Sequence, residues 1–118
     1  MTTNPTIYFL DQITPKSGQA ESFFKAYMDE YAPQARARGM TLRHAWVNPP
    51  IWLKGDQSNT LFVVWSVEGV PGFWKLMATP SALDGSTSYW WRDVDHLIES
   101  RSRSVLSDAS NIEALNNV

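Results

Sequence analysis

The sequence predicts an α+β domain in which one antiparallel sheet carries two helical layers on one face. Three observations lead there. Strand-like and helix-like patterns follow in the order strand, helix, strand, strand, helix, strand. The six tryptophans are spread over that order, with Trp46, Trp52 and Trp65 on or just after strands and Trp74, Trp90 and Trp91 on helices. The stretch Leu61–Val67 is apolar at almost every residue, and such a strand must be covered on both faces.

Each element has its own local reasons. Ile7–Ile13 is rich in β-branched and aromatic residues and reads as the first strand. Thr14 and Pro15 are expected to open a helix, as cap and first helical position. Ala20, Phe23, Phe24, Tyr27, Met28, Tyr31 and Ala35 then recur at the spacing of one buried helical face, with Phe24 and Tyr31 near its centre. Glu21, Lys25, Asp29 and Glu30 take the other side. Pro33 should kink this helix near its end, Arg36 and Arg38 complement its dipole, and Gly39 stops it. Thr41–Asn48 is a second strand ended by Pro49 and Pro50, and Lys54–Asn59 is turn chemistry before the third strand. A short helix follows with Phe73, Trp74, Leu76 and Met77, stopped by Pro80. Another starts near Ser86 and places Trp90, Trp91, Val94, Leu97 and Ile98 on one arc. Arg101–Leu106 is the last strand.

At 118 residues the chain reads as a single domain, 1–118, with a core over 7–106 and a polar tail over 107–118. The net charge is −2, and the basic residues are scattered, which argues against a nucleic-acid partner. Cysteine is absent, so disulfides and thiol chemistry are excluded. No apolar run approaches the roughly 20 residues of a membrane span, and Met1–Pro5 lacks the pattern of a secretory leader. A cytoplasmic protein with no membrane partner is expected. No phosphate-binding glycine loop, dinucleotide fingerprint or Ser–His–Asp order occurs, and no cofactor or metal is called for.

His44 lies mid-strand, in phase with Leu42 and Trp46, and its ordinary pKa of about 6.5 makes it the candidate catalytic base. The alternative is a packed histidine at a dimer seam. His96 lies about 200° from the centre of the last helix's apolar arc and should face solvent. Arg101 and Arg103 alternate with serines and point to one face of the last strand, beside Asp11 of the first. They read either as ion-pair partners or as a clamp for a ligand carboxylate or enolate. Tyr27, Trp46, Trp65 and Trp90 are the candidate walls of a substrate pocket, since large amphipathic rings in this number can line a site for a flat molecule.

The segments SFFKAYMDEY (Ser22–Tyr31) and WWRDVDHLIESRSRSVL (Trp90–Leu106), on this order of elements, resemble the dimeric α/β-barrel superfamily over roughly residues 7–106. The resemblance implies a ferredoxin-like βαββαβ fold and a homodimer, which would cover the second face of Leu61–Val67 with a twin sheet. It also implies distant similarity to cofactor-free monooxygenases and polyketide cyclases, with a cavity between sheet and helices. The cyclases it resembles use a tyrosine and a histidine flanking a proline after the second helix. Matched by Pro80, those positions are Leu76 and Ala82 here, so that pair does not carry over. Two functions follow. The protein binds a small aromatic or polyketide-like molecule and catalyses its cofactor-free isomerisation, cyclisation or oxygenation by proton abstraction. Alternatively, it is a non-catalytic dimeric ligand-binding or accessory protein.

Overall fold

The structure, a computed structural model, describes residues 6–69 and 86–111. Four strands form one antiparallel sheet: β1 (Ile7–Pro15), β2 (Thr41–Asn48), β3 (Thr60–Val67) and β4 (Ile98–Leu106), in the order β2-β3-β1-β4. This is the strand order of the ferredoxin-like fold, with β1 and β3 central. The short helix expected to carry Phe73, Trp74, Leu76 and Met77 lies outside the described residues, as does most of the tail.

β1 alternates strictly, with Ile7, Phe9, Asp11, Ile13 and Pro15 buried on one face. The strand runs on through Thr14 and Pro15, which were expected to cap and open a helix. Pro15 sits where the β1–β4 register shifts, a place where a missing ladder donor is tolerated, and the Thr14 hydroxyl is 2.8 Å from that of Thr60. Lys16–Gln19 then turns the chain through Gly18 at φ 71°. A side chain there would be strained by that φ and would sit 3.3 Å from the Gly55 carbonyl oxygen.

The first helical layer comprises α1 (Ala20–Ala26), a π-helical turn (Tyr27–Tyr31) and α2 (Ala32–Ala37) without a break. Pro33 accounts for the wide turn. It has no N–H for the carbonyl four residues back and its ring would crowd that carbonyl. The backbone widens just before it, and the Ala32 N–H bonds to the Tyr27 carbonyl. The expected kink is therefore a change of helical pitch, not a sharp bend. Gly39 ends the helix at φ 98°: its N–H reaches the Arg36 carbonyl at 3.0 Å, and the Met40 N–H reaches that of Ala35 at 3.1 Å. The buried stripe is Ala20, Phe23, Tyr27, Tyr31, Ala32 and Ala35. Phe23, not Phe24, lies at its centre; Phe24 is half-buried against Trp52.

α3 (Ser86–Val94) adds Trp90 and Val94 to the core. A short 3-10 turn (Asp95–Leu97) follows, and Ile98 already belongs to β4 and not to the helix. After β2 the chain is held by Asn59, whose side chain is fully buried. Its Oδ1 accepts from the Leu53 N–H at 3.0 Å, and its Nδ2 donates to the carbonyls of Pro49 and Ile51 at 3.0 and 2.7 Å. The face of the sheet that is helix-free among the described residues carries Tyr8, Leu10, Phe62 and Val64, all partly exposed, with Trp46 beside them.

Candidate functional site

Asp11 is the one charge in the helix-facing row of β1 and is 1% exposed. Register places Arg103 of β4 directly opposite. The pair is bidentate: Arg103 Nε donates to Asp11 Oδ1 at 2.6 Å and Nη2 to Oδ2 at 2.9 Å. The helical layer completes the arrangement from above. Tyr27 donates its hydroxyl proton to Asp11 Oδ2 at 2.8 Å and accepts from Trp65 Nε1 at 2.6 Å. Tyr31 accepts from Arg103 Nη2 at 2.8 Å and, more loosely, from Arg38 Nη2 at 3.4 Å. Tyr27 and Tyr31 stand four residues apart on one helical face, with ring centres 5.0 Å apart.

Aromatic rings enclose this polar chain. Tyr31 is 5.4 Å from Trp90 and 5.1 Å from Trp91, and the two indoles meet edge-on at 4.8 Å. Trp90 Nε1 donates to Glu30 at 2.8 Å. Over the outer side of Trp91 lies the Arg101 guanidinium, 4.0 Å from the ring centre. Trp91, Arg92, Asp95 and Arg101 line a cleft of about 330 Å³ there.

The electrostatics favour hydrogen-bond donation over proton abstraction. Loss of water around Tyr27, and then the Asp11 charge beside it, push its phenol far above the usual range. Burial opposes the Arg103 charge, but its hydrogen bonds to Asp11 and the Asp11 charge outweigh that and hold the guanidinium protonated. Both Asp11 oxygens are occupied. The cluster is thus a fixed set of donors around a compensated carboxylate, and it lacks a free base among the described residues.

Of the residues singled out from sequence, the structure brings Tyr27, Trp65, Trp90 and Arg103 into this cluster. Arg101 joins its rim through Trp91 and does not pair with Asp11. His44 and Trp46 lie elsewhere, which corrects the expectation that they share a pocket with the others. A register shift between Leu42 and His44 puts Leu42 opposite Trp65 on the helix side, while His44 and Trp46 face Val64 and Phe62 on the other side of the sheet. There the two rings stack at 4.6 Å with 13° between their planes, both exposed. A four-stranded sheet separates His44 from Asp11. His96, in the 3-10 turn, is exposed. Sequence reasoning missed Trp91 as the contact between cleft and cluster, although it shares an arc with Trp90. Arg38 had been read only as a dipole complement. Among the described residues no group of three or more histidines and carboxylates could hold a metal ion.

No protein-family model matches the chain, and no curated protein is significantly similar to it in sequence. Solved structures do match. A NIPSNAP family protein of unknown function from Agrobacterium tumefaciens superposes with a TM-score of 0.58 at 17% identity, covering 90% of each chain. An uncharacterised NIPSNAP-like domain protein from Burkholderia xenovorans gives 0.59 at 17% identity, over 91% of this chain and 88% of that one. A looser match, TM-score 0.48 at 16% identity over 88% and 93% of the two chains, is to SnoaB, a cofactor-independent oxygenase from Streptomyces nogalater; it lends nothing to the functional reading. The two NIPSNAP-type likenesses and the strand order establish the fold: a ferredoxin-like α+β domain.

Proposed function

We propose that the protein is a homodimeric binder of a small aromatic molecule, taken up between the helical layer and the sheet beside Trp91. The observation that carries this reading is the Asp11–Arg103 pair inside a cage of aromatic rings, next to a cleft. A buried ion pair is weak support for stability, because apolar residues of the same volume usually serve a core as well or better. Its retention among rings that could fill the space themselves is explained if its donors meet a ligand's polar atoms. Binding without proton abstraction is favoured over cofactor-free isomerisation, cyclisation or oxygenation. Tyr27 holds its proton, Asp11 is engaged on both oxygens, and His44 lies across the sheet.

Dimerisation is supported by the helix-free face. Phe62, Val64, Leu10 and the 53%-exposed Trp46 make it too apolar for an open surface, and a twin sheet would cover them. On this reading His44 and Trp46 belong to the seam between protomers and not to the ligand site. No helix of the described residues is long and apolar enough to cross a membrane.

The test uses 2-naphthamide, a neutral planar probe, followed by calorimetric titration. One molecule should bind per chain, and Trp91→Ala should weaken it by roughly tenfold or more, the worth of a lost aromatic contact. An absence of saturable binding, or binding indifferent to Trp91→Ala, overturns the assignment.

A further inference from the structure

We infer that Arg38, Tyr31 and Arg103 form an oxyanion subsite, so that the molecule bound is an aromatic carboxylate. The inference deepens the proposed function and rests on it. Two guanidinium groups, from opposite layers of the fold, converge on one phenol oxygen: Arg103 Nη2 at 2.8 Å from Tyr31 Oη, and Arg38 Nη2 at 3.4 Å. Among the described residues Asp11 is the one carboxylate that pairs with them, and Arg103 takes both of its oxygens. Glu30 on the same helical layer is engaged by Trp90. Arg38 has no ion-pair partner among the described residues, which leave one positive charge around Tyr31 uncompensated.

A second observation is independent of that charge count. Arg38 Nε is buried and has no acceptor within hydrogen-bond distance. A buried cationic donor without an acceptor is costly, and the other contact of this guanidinium is Met40 Sδ at 3.7 Å, a weak acceptor. Gln34 Oε1, one helical turn earlier on the same helix, is a buried acceptor without a donor. A planar carboxylate matches the guanidinium fork and would satisfy Arg38 Nε, while a hydroxyl on the same molecule would supply the donor for Gln34. Tyr31 links the subsite to the aromatic wall, since its ring touches Trp91 and its hydroxyl holds both arginines.

The experiment compares 2-naphthoate with 2-naphthamide, which has the same shape without the charge, by calorimetric titration of the whole chain. The wild type should bind the carboxylate roughly tenfold or more tightly than the amide, the scale of one charge-assisted hydrogen bond. Arg38→Gln should abolish that preference by lowering carboxylate affinity far more than amide affinity, and Arg38→Lys should restore part of it. Tyr31→Phe, which keeps the ring and removes the bridging oxygen, should likewise narrow the gap between the two probes, and serves if Arg38→Gln does not fold. If the wild type binds both probes equally, or Arg38→Gln retains the preference, the orphan Arg38 donor is met by a structural water only and the subsite is refuted. The aromatic site then stands. If neither probe binds, both assignments fall.

Discussion

Removing Arg103 should be among the most damaging single changes in this protein, and the reason can be worked from the geometry. Arg103→Met leaves the Asp11 carboxylate 1% exposed, with Tyr27 as its remaining side-chain donor. Stranding one member of a buried pair costs about 3–5 kcal/mol. The reverse change, Asp11→Asn, should cost less, about 1–3 kcal/mol, because the Arg103 side chain is 32% exposed and can turn its charge toward water. The double variant removes both charges while Asn keeps an acceptor for Tyr27, so it should recover part of the Arg103→Met loss. A coupling of about 2 kcal/mol or more is expected, at the upper end for contacting residues and somewhat reduced by the exposure of the arginine. The assay is urea unfolding of the four proteins at pH 7 and one fixed chain concentration, since the proposed dimer would make stability concentration-dependent. A coupling within about 0.5 kcal/mol of zero would refute the reasoning, because residues that do not interact add to within that margin.

Tyr27 gives a pH signature. Its phenol keeps its proton in the fold but ionises above about pH 10 when unfolded, so the native state binds the extra proton and stability falls as pH rises beyond that point. Tyr27→Phe should remove about 1.4 kcal/mol of that alkaline loss in total between pH 9 and pH 11, read by denaturant titrations; parallel slopes would mean that Tyr27 ionises freely in the fold. The chain should sediment at twice its mass at micromolar concentration, and Trp46→Glu should yield monomer while binding of 2-naphthamide persists; a wild-type monomer sinks the dimer. Phe23, fully buried, should cost about 3–5 kcal/mol when replaced by Ala, against a much smaller loss for half-buried Phe24. Equal losses would contradict the helix phase.

The order of elements was legible because periodicity and punctuation agreed: Thr41–Asn48 matches β2 residue for residue, and Gly39 stops its helix through backbone hydrogen bonds that only a positive φ allows. The pairing of Asp11 with an arginine of the last strand was also readable, since the strand order makes those strands neighbours. Which arginine pairs was not, because Arg101 and Arg103 share a face and only register separates them. His44 was misplaced for a different reason. The register shift beside it carries no glycine or proline, so a period-2 reading runs straight through and keeps it in phase with Leu42, which the shift puts on the opposite face. Thr14–Pro15 was misread because a cap followed by proline has the same spelling as a strand ending at an irregularity. The phase of the first helix slipped by one position at Phe23 and Phe24. There, hydrophobicity alone cannot choose between adjacent phenylalanines.

The wide turn at Tyr27–Tyr31 also bears on how this chain tolerates insertions and deletions. One surplus residue is stored there, so a single deletion within 27–31 could be absorbed by reverting to ordinary helical pitch, without unravelling the backbone. The rotational phase survives as well. Five residues of wide turn and four of ordinary helix cover nearly the same rotation, so α2 keeps its buried face toward the sheet. The cost falls on Pro33, whose ring then meets the carbonyl four residues back. Far-ultraviolet dichroism and the near-ultraviolet signal of the packed rings should therefore both persist after removal of exposed Asp29, with stability lowered. A residue lost from α1 instead would rotate everything after it by about 100°, and the near-ultraviolet signal should collapse.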